Sequence, residues 1–258
     1  MIFLIKIGDY VTRNSYNNDT VFKVINRRND TLFLKGVEYR LYADASINDC
    51  ILVDKDYVVD SFNPVIKDMS YRSEYFYLPG KILHLDGDSE YLKRCMNFYK
   101  DNNVFAVGKK IDEKSLYKDI YNLLVEVNPD ILIITGHDAY YKKSGNKKDI
   151  KNYQNSLNFV KSVKEARRYE KCHDKLIIIA GACQSNYEEL IKAGANFASS
   201  PKRVNIHALD PAIIAVSLAL TEKNKEIDLP VLLSLTKNGK DGMGGLICNG
   251  MMFVGYPR

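Results

Sequence analysis

Several features that would fix the class of a protein at once are missing from this chain of 258 residues. No run of about 18 uncharged apolar residues occurs, and a membrane-spanning helix needs one. The first residues, Met1 to Asp9, have no basic leader and no small-residue cleavage site. They read as a short strand rather than a secretion signal, so a cytoplasm is the expected compartment. The five cysteines, at positions 50, 95, 172, 183 and 248, are odd in number and form no CxxC pair. That spacing argues against a disulfide framework and against a Cys-rich zinc site, and it suits a reducing environment.

Charge of one sign is also scarce, with a net of +5. Between His137 and Lys175 the chain carries eleven Lys/Arg and five Asp/Glu, a local excess of six that covers the whole surplus. The excess is densest at Lys142, Lys143, Lys147, Lys148 and Lys151. No RNP, KH or helix-turn-helix pattern accompanies it, so a solvated loop and helix face is expected, with no nucleic-acid partner. A metallohydrolase built on His84, Asp86, His137 and Asp138 lacks HExxH or CxxC spacing. The Gly242-Met-Gly-Gly run has no Walker Lys-Ser/Thr and follows no βα junction, so it reads as a flexible segment near the C-terminus.

What is present divides by its period. Residues 1–60 contain short β-rich runs beginning at Gly8, Thr20, Thr31 and Tyr39, with turn residues at Asn17-Asn-Asp and Arg28-Asn-Asp. This spacing predicts a small SH3-like β-barrel serving as a docking or regulatory module. Residues 61–76 show neither helical nor strand period and read as a linker. From residue 77 to 258 strands and helices alternate, which predicts an α/β domain with a parallel sheet covered on both faces, flavodoxin-like or caspase-like in kind. Expected strands begin at Gly80, Asn103, Asp130, Lys175 and Asn196; expected helices cover 89–99, 113–127, 152–168, 186–193 and 211–220.

In such a sheet, reacting groups collect beyond the carboxyl ends of the strands. Two apolar strands end alike: Ile131-Leu-Ile-Ile-Thr runs into Gly136-His137-Asp138, and Leu176-Ile-Ile-Ile-Ala runs into Gly181-Ala182-Cys183. On neighbouring strands, His137 and Cys183 would emerge side by side, the arrangement that turns a thiol into a thiolate nucleophile. Either residue alone reads more readily as core; the matching positions make them the candidate pair. His84 reads as a buried structural residue or a partner of the site, His173 as a surface one, and His207 orients His137, lines a substrate pocket or simply packs. Asp86 and Asp88 follow the first strand of the domain. They could bind a basic group or cap the next helix, and Asp210 before a helix is a third acid of this kind.

Four segments resemble the YabG family of sporulation-specific proteases. They are Gly80-Lys-Ile-Leu-His-Leu-Asp-Gly-Asp, Pro129-Asp-Ile-Leu-Ile-Ile-Thr-Gly-His-Asp-Ala-Tyr, Ala180-Gly-Ala-Cys-Gln-Ser, and the run from Ala193 to Pro211. The resemblance is strong from about residue 78 to about 215 and looser at Gly8-Asp-Tyr-Val. It implies an endopeptidase of endospore-forming bacteria, acting in the mother cell on spore coat and cortex-related proteins, cutting after Arg and processing itself. With no metal-ligand spacing in the chain, no cofactor or metal is expected. The family's histidine and cysteine fall on His137 and Cys183, and Arg72 is the natural self-cleavage point. More distantly, the pair looks like the caspase, gingipain and clostripain group, in which the histidine is followed by Gly. Here Gly136 precedes it and Asp138 follows, so the oxyanion donors expected are the Cys183 N–H with that of Gly136 or Asp138. A basic P1 side chain requires a buried carboxylate, expected in the order Asp86, Asp210, Asp88. A non-catalytic flavodoxin-like binding module and a cysteine amidase acting on peptidoglycan are the competing readings.

Overall fold

The computed structural model of the protein describes residues 5–54, 62, 64, 74–141 and 146–257. Arg72 and the basic pair Lys142 and Lys143 lie outside the described residues. The chain divides into two compact units, residues 1–63 and 64–258.

The first unit is one antiparallel sheet of β1 (Tyr10–Arg13), β2 (Phe22–Arg28), β3 (Thr31–Gly36), β4 (Tyr42–Ser46) and β5 (Cys50–Val53), in the order β4-β3-β2-β1-β5. Alternation sets its faces: Phe22 and Val24 are buried while Lys23 between them is exposed. Val11, Leu32, Leu34 and Leu41 complete the core, each such side chain contributing about 1.5–3 kcal/mol on burial. Asn29, at φ 54°, makes the tight β2–β3 turn that the Asn-Asp pair suggested. A single 3₁₀ turn, Ile47–Asp49, joins β4 to β5. Strand β4 starts at Tyr42 rather than Tyr39, because Gly36 N–H and Leu41 N–H are held in a local turn on Leu41 and Tyr39 carbonyls. Strand β5 was not expected.

The second unit is α/β. Its six-stranded sheet runs β12-β11-β10-β9-β7-β8, formed by β7 (Ile82–Asp86), β8 (Ala106–Lys110), β9 (Ile131–Thr135), β10 (Ile177–Ala180), β11 (Phe197–Ser199) and β12 (Met243–Gly245). Strands β7 to β11 pair in parallel and β12 pairs antiparallel to β11. The Gly242-Met-Gly-Gly run is therefore no flexible tail segment: Met243 is buried and the glycines form an edge strand that lies close against Phe197 and Tyr187. A separate ribbon pairs β6 (Phe76–Leu78) with β13 (Phe253–Gly255).

Every residue of β9 is buried because both faces are covered. Ile131 and Ile133 pack with α1 (Ser89–Asp101) and α5 (Asp210–Ala219) through Tyr99, Ala212 and Val216. Leu132 and Ile134 pack on the other face with α2 (Leu116–Val127), α3 (Ser156–Tyr169) and α4 (Tyr187–Ala193) through Ile120, Phe159 and Leu190. Helix α3 begins later than expected, after a 3₁₀ turn at Ile150–Asn152. Two short helices, α6 (Leu229–Ser234) and α7 (Gly239–Gly242), complete the unit. Among the described residues no helix is long and apolar enough to cross a membrane.

The strand order positions the site. From β7 the chain goes to β8 on one side and then returns to β9 on the other. The β7/β9 boundary is thus the topological switch point, where the loops beyond the carboxyl ends part and leave a crevice.

Candidate active site

His137 stands at that switch point, in the loop leaving β9. The Glu113 carboxylate in the turn after β8 receives its main-chain N–H at 2.8 Å, and the same Oε1 lies 3.3 Å from the ring Nδ1. On the other side, Asp88 Oδ2 lies 3.7 Å from Nε2, too far for a hydrogen bond. The Tyr91 ring packs at 5.9 Å between centroids, and Asn155 Nδ2 donates to the His137 carbonyl at 2.9 Å. Side chains at Gly87 and Gly136 would overlap the Glu113 carboxyl, so both residues are glycine because a third chain segment must approach here.

The carboxylate of Asp138 does something the sequence did not suggest. It is buried and gathers donors from three elements: Ala139 N–H and Asn155 N–H at 2.9 and 2.7 Å, Ser156 Oγ–H at 2.5 Å, and Ser185 Oγ–H at 2.8 Å. The two hydroxyls accept in turn from Asn186 N–H and Ala182 N–H, at 2.8 and 2.9 Å. A continuous chain of hydrogen bonds therefore ties the β9 loop, the start of α3 and the β10 loop together, each bond polarising the next. Burial raises the Asp138 carboxyl above its usual range, with the hydrogen bonds from Ser156, Asn155, Ser185 and Ala139 opposing. Both oxygens are engaged by protein donors.

Cys183 leaves β10 at the height at which His137 leaves β9. Ile134 and Ala180 are register partners, and each of the two residues stands three positions further on. The turn between strand and thiol requires Gly181 at φ 105°, where a side chain would be strained and would press on Leu190. Gln184 follows at φ 59°, held by its N–H on Ser200 Oγ at 2.9 Å and by its Oε1, which accepts from Tyr140 N–H at 3.3 Å. Cys183 itself is fully buried in the apolar cluster that holds Ile179, Ile206 and Met243. Its sulfur accepts from Ile206 N–H at 3.3 Å and lies 3.7 Å from the Ile206 carbonyl.

The expected acids differ in setting. Asp88 caps α1, accepting from Glu90 N–H and Tyr91 N–H at 2.8 and 3.1 Å, so its helix-capping reading holds while its second oxygen faces His137. Asp86 is fully buried, with Oδ1 on Asp88 N–H at 2.9 Å and Oδ2 at 3.5 Å from His84 Nε2. His84, also buried, shares a 2.7 Å hydrogen bond between Nδ1 and the Tyr99 hydroxyl. Asp210 and His207 are buried in the turn that starts α5. Asp210 accepts from the main-chain N–H of His207 and of Lys237, and His207 Nδ1 accepts from Leu209 N–H at 3.1 Å. His173 is half-buried beside Arg167, and burial lowers its proton affinity.

Glu113 went unnoticed in the sequence because the apolar period of α2 extends smoothly back to it. The turn Asp112–Ser115 instead precedes the helix, with Lys114 N–H on Asp112 Oδ1 at 2.9 Å and Ser115 N–H on the Asp112 carbonyl at 3.0 Å. Its place just beyond a strand's carboxyl end was the available signal. The assembled groups are an imidazole flanked by two carboxylates at a switch-point crevice, and a thiol on the adjoining strand end. Such a set suits proton transfer coupled to nucleophilic attack.

Comparison with known proteins agrees in class. The family model described as YabG peptidase U57 matches residues 6–70 and 63–257. A relative from Bacillus subtilis (strain 168), the "Sporulation-specific protease YabG", is 39% identical over 283 aligned residues, covering 98% of this chain and 98% of the relative.

Proposed function

The chain belongs to the YabG peptidase family, and on that premise we propose that it is a cysteine endopeptidase of sporulation working through Cys183 and His137. The supporting observation is the register: His137 and Cys183 follow paired positions on adjacent parallel strands. In this reading His137 takes the Cys183 proton and the thiolate attacks the carbonyl carbon of a substrate peptide. The N–H of Cys183, with that of Gly136 or Asp138, stabilises the oxyanion, each such donor being worth about 3 kcal/mol. His137 then protonates the leaving amine, and water releases the acyl-enzyme.

Cleavage after Arg calls for a carboxylate in reach of the P1 side chain. Of the three acids, Asp88 is the one beside His137 with some exposure, 6%, whereas Asp86 and Asp210 are wholly buried. Asp88 therefore takes first place in the proposal, ahead of Asp86 and Asp210, with His207, buried in the turn before α5, as the remaining candidate. Because the thiol is buried against Ile206, substrate attack in this reading requires that the Ile206 contact open. The strand order β8-β7-β9-β10-β11 supports a caspase-like architecture, and the 3₁₀-linked antiparallel sheet of residues 1–63 supports an SH3-like docking module. Spore coat and cortex-related proteins are the substrates proposed, in the mother cell, with self-processing near Arg72.

Digestion of a denatured Arg-containing protein by the wild type and by Cys183→Ala, with cut sites read by mass spectrometry, tests this. Cuts after Arg that vanish in the variant are expected. Cuts that persist would remove Cys183 from the mechanism. If neither protein cuts a polypeptide, release of products from peptidoglycan separates an amidase from a binding module.

A further inference from the structure

We propose that Glu113 is the positioning residue of the site, holding His137 with its proton on Nδ1 so that Nε2 is the nitrogen that exchanges a proton with the thiol. The inference rests on the Cys183–His137 reading and deepens it.

The geometry is specific. One oxygen, Glu113 Oε1, meets both the main-chain N–H of His137 and its ring Nδ1, at 2.8 and 3.3 Å. A single carboxylate oxygen thus fixes the ring relative to the backbone from which it projects, and only the Nδ1–H tautomer gives it a donor on the ring. The pair is largely shielded, with side-chain exposures of 11% for His137 and 12% for Glu113, so the interaction is stronger than it would be in water. The berth is built from three loops: Gly87 after β7 and Gly136 after β9 leave the space, and the pinned turn Asp112–Ser115 after β8 delivers the side chain. Asn155 fixes the other end of the same residue through the His137 carbonyl. A carboxylate required only to satisfy one backbone N–H would not need to face Nδ1 as well.

The proton balance is simple. Nε2 accepts the thiol proton, the imidazolium then carries a proton on each nitrogen, and Nδ1 keeps its proton and donates it to Glu113 as a hydrogen bond throughout. The Nε2 proton passes to the leaving amine, and Glu113 never becomes the proton's destination.

The test compares full-length wild type, Glu113→Gln, Glu113→Asp, His137→Ala and Cys183→Ala on an Arg-containing peptide, with melting curves for each. Glu113→Gln keeps an acceptor for the His137 N–H but removes the charge, and kcat should fall about 10²-fold with KM within about twofold. Glu113→Asp, one methylene short, should recover part of that loss. Imidazole ¹⁵N spectra of the wild type should show His137 as the Nδ1–H tautomer, and Glu113→Gln should shift the population toward Nε2–H. A Glu113→Gln enzyme with wild-type kcat, or a wild-type His137 already in the Nε2–H form, overturns the inference. So does a loss of activity that only follows a lowered melting temperature, with the tautomer unchanged. If Cys183→Ala cleaves as the wild type does, the dyad reading itself fails and takes the role of Glu113 with it. Inactive Cys183→Ala and His137→Ala beside a fully active Glu113→Gln would sink this inference alone.

Discussion

The loops that leave β9 and β10 begin alike, on neighbouring apolar strands with a glycine at the turn, and end in opposite surroundings. The first carries His137 into a crevice of carboxylates and amides contributed by Asp88, Glu113 and Asn155. The second carries Cys183 into packed hydrocarbon, with the sulfur against the backbone of Ile206. Between them the Asp138 network welds one loop to the other. In the proposed mechanism the difference means that the imidazole is held ready while the thiol is stored, and that their relative placement is set by Asp138, which bonds to both loops. Each part of that contrast can be broken separately.

The largest effect should come from His137→Ala. In the proposed mechanism it removes the base and later the acid, so kcat should drop at least about 10³-fold. The side chain lies at the crevice, 11% exposed, so the melting temperature should move by only a few degrees, on the order of 1 kcal/mol. Steady-state kinetics with parallel calorimetry measures both. Near-normal turnover would end the view that the β9 loop is the reactive side of the pair.

Asp138→Ala should do the reverse, acting first on stability. It leaves buried donors on Ser156, Ser185 and Asn155 without their acceptor, at a cost of about 3 kcal/mol. In a chain of this size that is a fall of roughly 6–10 °C in melting temperature. Asp138 also gives this weld a pH dependence. Burial holds the native carboxyl above the usual 3.8, so the folded state binds the proton more tightly than the unfolded chain. The stability it contributes is then greatest below the unfolded value and declines as pH rises through the native one. The gap in melting temperature between wild type and Asp138→Asn should therefore widen on going from about pH 7 to about pH 5. A gap that narrows would mean that the hydrogen bonds outweigh burial.

Much of this contrast could be read from residues alone, and the rest could not for identifiable reasons. The isoleucine-rich strands announce a parallel sheet, and rules of sheet topology then send His137 and Cys183 to one edge. Residues whose role depends on a side chain crossing between loops are silent in sequence. Glu113 continues a helical period that the structure stops at Leu116. Asp138 counted only for its backbone or as a metal ligand, since nothing local reveals that Asn155-Ser156 and Ser185-Asn186, each opening a helix, converge on it. Short glycine-rich or edge strands such as β12, β6 and β13 have too few residues to show a period. The acids after β7 were recognised, but their ranking turned on burial, which no spacing encodes.

A smaller effect, Gly87→Ala, tests whether the berth matters apart from the residue in it. The new methyl group would overlap the Glu113 carboxyl, which is the mobile end of a side chain and can swing away. Stability should fall by no more than about 1 kcal/mol, while kcat should fall nearly as far as in Glu113→Gln. Equal kcat for Gly87→Ala and wild type would show that the ring keeps its place without that contact.

The slightest perturbation, alkylation of the resting protein, probes the stored thiol directly. Cys172 is exposed and should label first. Cys50 should follow slowly, since burial and the nearby Asp49 raise its thiol. Cys248 should be the slowest of these three: burial pushes it up to about 12, and at neutral pH almost none of it is thiolate. Cys183, fully buried with its sulfur on Ile206, should label more slowly than Cys172 in the free protein and speed up when a non-cleavable Arg peptide binds. Peptide mass mapping of the modified cysteines reads the order. Immediate labelling of Cys183 would mean that the β10 loop already opens without substrate, and the asymmetry between the two strand ends would then lie in their polarity alone.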